Sequence, residues 1–163
     1  MTENKFALID SSILMNYMAK NKFSLIDSNI LIYAYDKDEK EKNPAAKKIL
    51  ERVFKEEISI SLSTQNLSEF YYNVTKKINK PLNIIEAKEI ISGLVSLSNI
   101  KIIKINEETI LKAIDISLEY NLSYWDSLIA SVMKENQIFT IITKNDKDFK
   151  KIPWLSVINP FVK

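Results

Sequence analysis

Short apolar runs rich in β-branched residues alternate with longer segments of helical spacing along most of this chain. Strands that alternate with helices predict a mostly parallel central sheet with helices on both faces. We therefore expect an α/β fold with three layers, α/β/α. The predicted strands, each bounded by charged or turn-forming residues, are FSLID (23–27), ISISLST (58–64), IKIIKI (100–105), FTIIT (139–143) and LSVIN (155–159).

The predicted helices begin at recognisable start signals. A proline follows Asn43 and introduces AAKKILERVFKEE, and Pro81 similarly precedes LNIIEAKEIISGLVSL, because proline suits the first turn of a helix. Asn106 is suited to cap NEETILKAIDISLEY, and Ser123 to cap YWDSLIASVMKEN. A chain of 163 residues is long enough for one core and short for two, so we expect one domain.

The start of the sequence is doubled. Residues 4–20 and 21–37 match at ten of seventeen positions, and each copy places an aspartate, Asp10 or Asp27, at the end of a strand-like run. Two copies of a first strand cannot occupy the same position in a sheet. Only the second copy leads directly into the helical segment expected before the next strand, so we expect Asp27 to be the functional aspartate.

The division of the chain follows from this repeat. We take residues 1–20 as a duplicated N-terminal segment and residues 21–163 as the folded domain. The first copy is long enough for an additional edge strand and a short helix. Alternatively, it pairs with another chain or stands outside the functional fold.

Three residue types are absent or nearly so, and this excludes several kinds of site. Without cysteine there are no disulfides, zinc–thiolate sites, iron–sulfur clusters or thiol nucleophiles. Without histidine the usual general base and the commonest nitrogen ligand are missing. The single glycine, Gly93, lies in a predicted helix, so no phosphate-binding or dinucleotide-binding glycine loop is present and we expect no nucleotide cofactor. The remaining carboxylates suit Mg²⁺ or Mn²⁺.

Two features bear on location and partners. No apolar run approaches the roughly 20 residues needed to cross a bilayer, and the N-terminus lacks the features of a signal peptide. We therefore expect a cytoplasmic protein with no membrane association. The formal net charge of +2 neither supports nor excludes binding to nucleic acid.

Acidic residues follow several of the predicted strands. Asp27 directly follows the first strand, and Glu69 lies a few residues after the second. Asp126 lies in the first turn of a predicted helix, and Asp146 and Asp148 follow the fourth strand. Singly, such acids are commonly caps or solvated surface residues. Gathered where ligands bind an open parallel sheet, beyond its carboxyl edge, they require a cation to offset their repulsion.

The segments that carry these acids resemble a known family. LIDSNILIYAYD (25–36), LSTQNLSEFYYNVTKK (62–77) and YWDSLIASVMKENQIFTIITKNDKDF (124–149) resemble the segments of the PIN domain, a family of metal-dependent ribonucleases. Many small prokaryotic members are similar to VapC-type toxins. The resemblance runs from about Asn21 to the C-terminus, and it implies a PIN-like three-layer fold and cleavage of single-stranded RNA.

Carried over residue by residue, the resemblance implies a carboxylate site for Mg²⁺ or Mn²⁺. Asp27 would be the first ligand, with Ser28 and Asn29 as its supporting hydroxyl and amide. Glu69 and Asp126 would be the next two acids. A cation held in this way can lower the pKa of a bound water and offset the charge of the phosphodiester transition state.

The last motif departs from the family pattern. The family often places an acid two residues after its threonine, here Thr143, but this chain has Asn145 at that position and Asp146 next. Either Asp146 supplies the fourth carboxylate from a shifted position, or Asn145 holds a water and the site works with three acids. We take Asp146 as the fourth ligand.

Basic and aromatic residues near the acids are candidates for contacts with RNA. Lysines most often solvate a surface, and aromatics at helical spacing most often fill a core or an interface, yet both also bind nucleic acid. The candidate phosphate contacts are Lys76, Lys77, Lys144 and Lys147, and the candidate stacking residues are Tyr33, Tyr35, Tyr71, Tyr72 and Trp125.

The resemblance also implies partners, namely an antitoxin protein that blocks the acidic cleft with a basic side chain and a second copy of the chain in a homodimer. Two other interpretations are weaker. A PIN-like RNA-binding or scaffolding module would be favoured by Asn145 in place of an acid, but the retained acids argue against it. A haloacid-dehalogenase-type phosphatase needs a second aspartate where the chain has Asn29.

Overall fold

The computed structural model describes residues 23–162, which form five strands and seven helices. The predicted N-terminal segment 1–20, with Asp10, lies outside the described residues. In chain order the elements are β1 (Ser24–Ile26), α1 (Ser28–Tyr35), α2 (Asn43–Phe54), β2 (Ile60–Ser63), α3 (Thr64–Lys76), α4 (Ile84–Ser96), β3 (Ile100–Ile103), α5 (Glu107–Tyr120), α6 (Tyr124–Glu135), β4 (Thr140–Ile142), α7 (Asp146–Phe149) and β5 (Ser156–Ile158).

The five strands form one parallel sheet in the order β3-β2-β1-β4-β5. Leu25 of β1 pairs with Ser61 on one side and with Ile141 on the other, so β1 is the central strand. All five predicted strands are present, each shorter than predicted because the flanking polar residues begin turns or helices. The predicted α/β fold with a parallel sheet is confirmed.

Alternation of side chains along the strands builds a core on each face of the sheet. Ile26 of β1 and Ile142 of β4 pack in a cluster with residues of α1 to α4. Their neighbours Leu25 and Ile141 pack on the other face, in a cluster with residues of α5 and α6. Helices therefore cover both faces, which confirms the three layers.

The helix starts follow the capping residues. Asn106 and Ser123 cap α5 and α6 as predicted. The start predicted for α4 directly after Pro81 was wrong by two residues, because Asn83 and Glu86 form a capping box that begins the helix at Ile84. The longest helix, α5, has 14 residues, and no helix within residues 23–162 is long and apolar enough to span a membrane.

The strand order places the switch of connection direction at the centre of the sheet. The chain passes from β1 to β2 and β3 on one side, and then returns to β4 and β5 on the other. The crevice where ligands bind such a sheet therefore lies beyond the carboxyl ends of β1 and β4. Asp27 directly follows β1 and Thr143 directly follows β4.

Candidate functional site

Asp27 joins the ends of the two central strands. It is the cap of α1, is only 7 % exposed, and its backbone N–H donates to the carbonyl of Ile142 at 3.0 Å. Its Oδ1 accepts from the backbone N–H of Ser28 at 2.7 Å. Its Oδ2 accepts from the Asn29 amide at 2.7 Å and from the Thr143 hydroxyl at 2.6 Å. Both carboxylate oxygens are thus held in fixed directions.

A second set of hydrogen bonds holds the residues around Asp27. Thr143 Oγ1 accepts from the backbone N–H of Asn145 at 2.9 Å and from the Asn29 amide at 3.2 Å. Asn29 Oδ1 accepts in turn from the backbone N–H of Lys144 at 3.1 Å. Fully satisfied networks of this kind restrict the conformations of their members. The residues predicted to support Asp27 therefore lie around it.

Glu69 reaches the same crevice from the second turn of α3. Its Oε2 accepts a short hydrogen bond from the hydroxyl of Ser28, which also lies 3.3 Å from Asp27 Oδ1. Its Oε1 accepts from the side-chain amide of Gln65 at 2.7 Å. The same amide donates to the backbone carbonyl of Trp125 at 3.2 Å. Gln65 therefore connects Glu69 to the start of α6.

Asp126 lies in the first turn of α6. Ser123 caps this helix, and its hydroxyl is 2.9 Å from Asp126 Oδ2. The same oxygen accepts from the side-chain amide of Asn145 at 3.3 Å. Asn145, which stands where the family often has an acid, thus contacts an acid of the site directly.

The three carboxylates influence one another electrostatically. Burial raises the pKa of Asp27 from 3.8 to about 6, and the charges of Glu69 and Asp126 add to this rise. Burial also raises the pKa of Asp126, with further contributions from Asp148 and Glu69. The ion pairs observed within residues 23–162 all involve other acids. The crevice therefore holds an excess of negative charge that no lysine or arginine of this part of the chain offsets through an ion pair.

Asp146 is bonded to residues other than the three acids. Its carboxylate accepts from Lys150 at 2.5 Å and from the Asn159 amide at 2.9 Å. Chiefly because of Lys150, the pKa of Asp146 lies below its ordinary value. Neither contact involves an acid of the crevice.

Asp148 is the acid of α7 that interacts with the crevice. Its charge contributes to the raised pKa of Asp126, and Asn145 interacts with its side chain. Lys151, at 2.8 Å, is the main reason that the pKa of Asp148 lies below its ordinary value. Asn145 thus lies between Asp126 and Asp148.

The lysines and aromatic residues proposed for RNA contacts fall into two groups. Tyr33 packs edge-on against Phe161, and Tyr35 against Phe70, so these rings belong to the packing of the domain. The exposed members of both sets are Lys76, Lys77, Lys144, Lys147, Tyr71, Tyr72 and Trp125.

The donor atoms of the crevice suit a hard divalent cation. Asp27, Glu69 and Asp126 offer carboxylate oxygens only, which is the chemistry that Mg²⁺ and Mn²⁺ prefer. No group of three acidic side chains between residues 23 and 162 is already arranged to hold a metal ion. Hydrogen bonds to Ser28 and Gln65 currently occupy oxygens of Glu69, and a cation would compete for them. Because the negative charge of these carboxylates is not offset, the three residues are suited to bind a divalent cation.

Gln65 and Asp148 interact with acids of the crevice. Gln65 was not predicted from the sequence, and Asp148 was noted after the fourth strand but not taken as a ligand. Gln65 precedes Glu69 by one helical turn, a spacing at which side chains meet. That spacing was the available signal. For Asp148 the signal was its position two residues after Asp146, on nearly the opposite side of a helix with 3.6 residues per turn.

Solved structures with the same fold include three toxin-related proteins. A toxin–antitoxin complex from Klebsiella pneumoniae aligns with 23% identity and a TM-score of 0.61, covering 86% of this chain and 99% of that one. VapBC2 from Rickettsia felis, bound to a DNA fragment from its promoter, aligns with 25% identity and a TM-score of 0.58, covering 84% and 98%. VapC20 from Mycobacterium tuberculosis, a toxin that cleaves the sarcin-ricin loop, aligns with 11% identity and a TM-score of 0.54, covering 72% and 85%.

Sequence comparisons give the family. No curated protein sequence matches the chain significantly. The sequence model of the PIN domain matches residues 24–155, which begins at β1 and includes every acid of the crevice. Together with the parallel sheet and the acids at its switch point, this match shows that the chain belongs to the PIN domain family.

Proposed function

We propose that this protein is an endoribonuclease that uses Mg²⁺ or Mn²⁺ to hydrolyse phosphodiester bonds in RNA, and that it is the toxin of a toxin–antitoxin pair. The observation that carries the proposal is that Asp27, Glu69 and Asp126 lie together at the switch point, where no basic side chain of residues 23–162 forms an ion pair with them. Membership of the PIN domain family and the toxins of the same fold support it.

In this proposal Asp27, Glu69 and Asp126 hold the cation. When bound, the cation offsets the negative charge that develops on the phosphate and makes a water available as nucleophile at neutral pH. Thr143 and Asn29 hold Asp27 in one orientation, and Ser28 does the same for Glu69. Because the sequence contains no histidine, a carboxylate or solvent would accept the proton of the attacking water, and solvent would protonate the leaving oxygen of the RNA.

Two substitutions test which aspartate supplies the fourth carboxylate of the site. We propose Asp148 for this role instead of Asp146. Each of the two acids pairs with a lysine, but Asp148 also interacts with Asp126 and Asn145, whereas the other partner of Asp146 is Asn159. We expect Asp148→Asn to lower kcat/KM about 10- to 100-fold, the usual cost of removing a supporting group of a metal site. Asp146→Asn should stay within about threefold of the wild type. The reverse order of the two variants in an RNA cleavage assay would restore Asp146 as the fourth acid.

Positive side chains near the crevice are candidates for contacts with the RNA backbone. The backbone of Lys144 is bonded to Asn29, so its exposed side chain starts at the rim of the site. Lys147 is close enough to Asp148 to contribute to its lowered pKa. With Lys76 and Lys77 at the end of α3, these residues are proposed to position the phosphates on either side of the cleaved bond.

Two protein partners are proposed from the relationship to toxin–antitoxin proteins. An antitoxin that places a basic side chain among the three acids would occupy the position of the cation. A second copy of the chain is the proposed partner for four exposed apolar residues that share one face of α5, since contiguous apolar patches commonly mark interfaces. They are Ile110, Leu111, Ile114 and Leu118. Light scattering would show the dimer.

The alternative function is a PIN-like RNA-binding or scaffolding module, and metal-dependent stability distinguishes it from the nuclease. A protein with an intact site is stabilised by RT ln(1 + [L]/Kd), about 2.7 kcal/mol at a hundredfold excess of metal over Kd. A scaffold would show no shift of Tm with Mn²⁺ and no cleavage of RNA.

A further inference from the structure

A cavity of about 670 Å³ lies between α3 and the start of α6. Its lining includes Glu69, Gln65, Tyr72 and Trp125. Since Glu69 also belongs to the acidic crevice, the cavity opens directly beside the proposed metal site. It lies at the carboxyl edge of the sheet, where Ile105 follows β3.

Two aromatic rings at this cavity are exposed. Trp125 is 61 % exposed and Tyr72 is 54 % exposed. Tyr124 packs against the indole of Trp125, with ring centroids 5.2 Å apart and an angle of 67° between the planes. The indole is therefore buttressed on one side, and a large part of its surface remains available for a ligand.

The polar groups of the cavity favour a neutral ligand over a phosphate. Of the lining residues within 23–162, Glu69 alone is charged, and the other polar residues carry hydroxyl or amide groups. Among the described residues that line it, the cavity therefore offers a ligand hydroxyl and amide groups and one carboxylate, and no positive charge that would hold a phosphate.

We propose that this cavity binds one unpaired nucleobase of the RNA substrate, stacked on Trp125, beside the phosphodiester bond held at the acids. The proposal rests on the proposed ribonuclease function and adds a substrate subsite to it. A base is planar and neutral, and it stacks favourably on an aromatic ring whatever its identity. A base within a duplex cannot enter, so the subsite selects single-stranded RNA.

A lysine lies near one aromatic ring of the cavity. Lys77 Nζ is 5.6 Å from the centroid of the Tyr72 ring, and Tyr72 belongs to the lining of the cavity. The proposal assigns this lysine to a phosphate next to the bound base. A second copy of the chain covering the cavity would instead enclose Glu69 and block access to the acids. The arrangement therefore favours a nucleotide over a protein as the occupant.

Fluorescence tests the binding step without turnover. The chain has two tryptophans, so Trp154→Phe leaves the Trp125 indole as the only one. In EDTA at low salt, a single-stranded hexaribonucleotide of mixed sequence should quench this fluorescence. Hexamers with one abasic position, tested position by position, should include one that quenches less. A duplex of the same sequence should quench little. Equal quenching by every abasic hexamer, or by the duplex, would overturn the subsite.

Cleavage kinetics test the same residue in the otherwise native chain. Trp125→Ala should raise KM for single-stranded RNA about 5- to 150-fold, from the stacking contribution of 1–3 kcal/mol, and should change KM more than kcat. The matched control is Phe139→Ala, which removes an aromatic ring that is 51 % exposed at the opposite, amino-terminal edge of β4. Its KM should stay within about twofold of the wild type.

The outcomes separate this proposal from the ribonuclease proposal. If the wild type cleaves RNA and Trp125→Ala has an unchanged KM, the subsite is wrong and the nuclease stands. If the wild type cleaves no RNA but base-dependent quenching is observed, the nuclease is wrong and the base-binding cavity stands. If Trp125→Ala changes the mass measured by light scattering and leaves RNA binding unchanged, the cavity is a protein interface and the subsite is wrong.

Discussion

Replacing Asp27 by Asn is expected to lower the rate of RNA cleavage by about 10³-fold. Asp27 is the most buried of the three acids and connects the ends of β1 and β4. A bound cation supplies several kcal/mol of charge stabilisation in such reactions, and each 1.4 kcal/mol is a factor of ten in rate. Asn keeps the size of the side chain but removes the charge that holds the cation. The measurement is kcat/KM on single-stranded RNA with Mg²⁺ or Mn²⁺.

Three controls make this result specific. Asp10→Asn changes the equivalent aspartate of the repeat and should retain full activity, whereas Asp126→Asn should behave like Asp27→Asn. EDTA should abolish cleavage by the wild type. Cleavage that persists in EDTA would contradict the use of a metal, and equal loss in Asp10→Asn would contradict the choice of Asp27 over its copy.

A readout other than activity distinguishes metal binding from catalysis. Mn²⁺ should raise the Tm of the wild type, and this rise should be absent in Asp27→Asn. Asp115 is an exposed acid of α5, and Asp115→Asn should retain the full rise. A rise of the same size in Asp27→Asn would place the metal elsewhere on the chain.

The central part of the site could be predicted from the sequence because it depends on where strands end. Alternation of β-branched and helical segments determines the ends of β1 and β4, and the parallel sheet brings these ends together. Asp27 and Thr143, 116 positions apart in the chain, are therefore 2.6 Å apart. The capping roles of Asn106 and Ser123 could also be predicted, since a cap is a local property of the sequence.

The last carboxylate was not determined by the same reasoning. Asp146 and Asp148 both follow β4, and their order in the sequence does not say which faces the crevice. The start of α7 decides this, because each residue of a helix turns the side-chain direction by about 100°. Asn145 makes no side-chain cap to α7, and its amide instead reaches Asp126. Its two roles, as a helix neighbour and as a contact of the site, are indistinguishable in the sequence.

The roles of the aromatic residues could not be predicted from the sequence either, for a different reason. Tyr33, Tyr35 and Trp125 all lie within eight positions of an acid of the site, six and eight residues after Asp27 or directly before Asp126. Yet Tyr35 packs against Phe70 of α3, whereas 61 % of Trp125 is exposed. Which helix packs on which is a tertiary property, so local spacing could not separate core aromatics from those available to a ligand.

Without metal, the free energy of unfolding is expected to increase as the pH falls from 7.5 to 5. The pKa of Asp27 rises from 3.8 to about 6 on folding, mainly through burial. Between these values the folded state binds the proton more tightly than the unfolded chain, so stability falls as pH rises through this range. The full difference corresponds to about 3 kcal/mol, of which about 1.4 kcal/mol should be gained between pH 7.5 and pH 5. Urea unfolding in EDTA at several pH values would measure it.

The composition of the chain makes the range from pH 7.5 to 5 informative about Asp27. There is no histidine, so few other groups titrate between pH 5 and 7.5. Asp126, whose pKa burial also raises, adds to the gain. The lysines that pair with Asp146 and Asp148 lower the pKa of these acids, so their contribution to stability is lost only at lower pH, near and below the pKa of an unfolded aspartate.

Asp27→Asn should remove most of the increase in stability, and Asp115→Asn should leave the increase unchanged. Excess Mn²⁺ should reverse the trend, because the cation stabilises the ionised acids at pH 7.5 and competes with protons at pH 5. If the stability of the wild type in EDTA is constant or falls as the pH is lowered from 7.5 to 5, folding does not raise the pKa of Asp27.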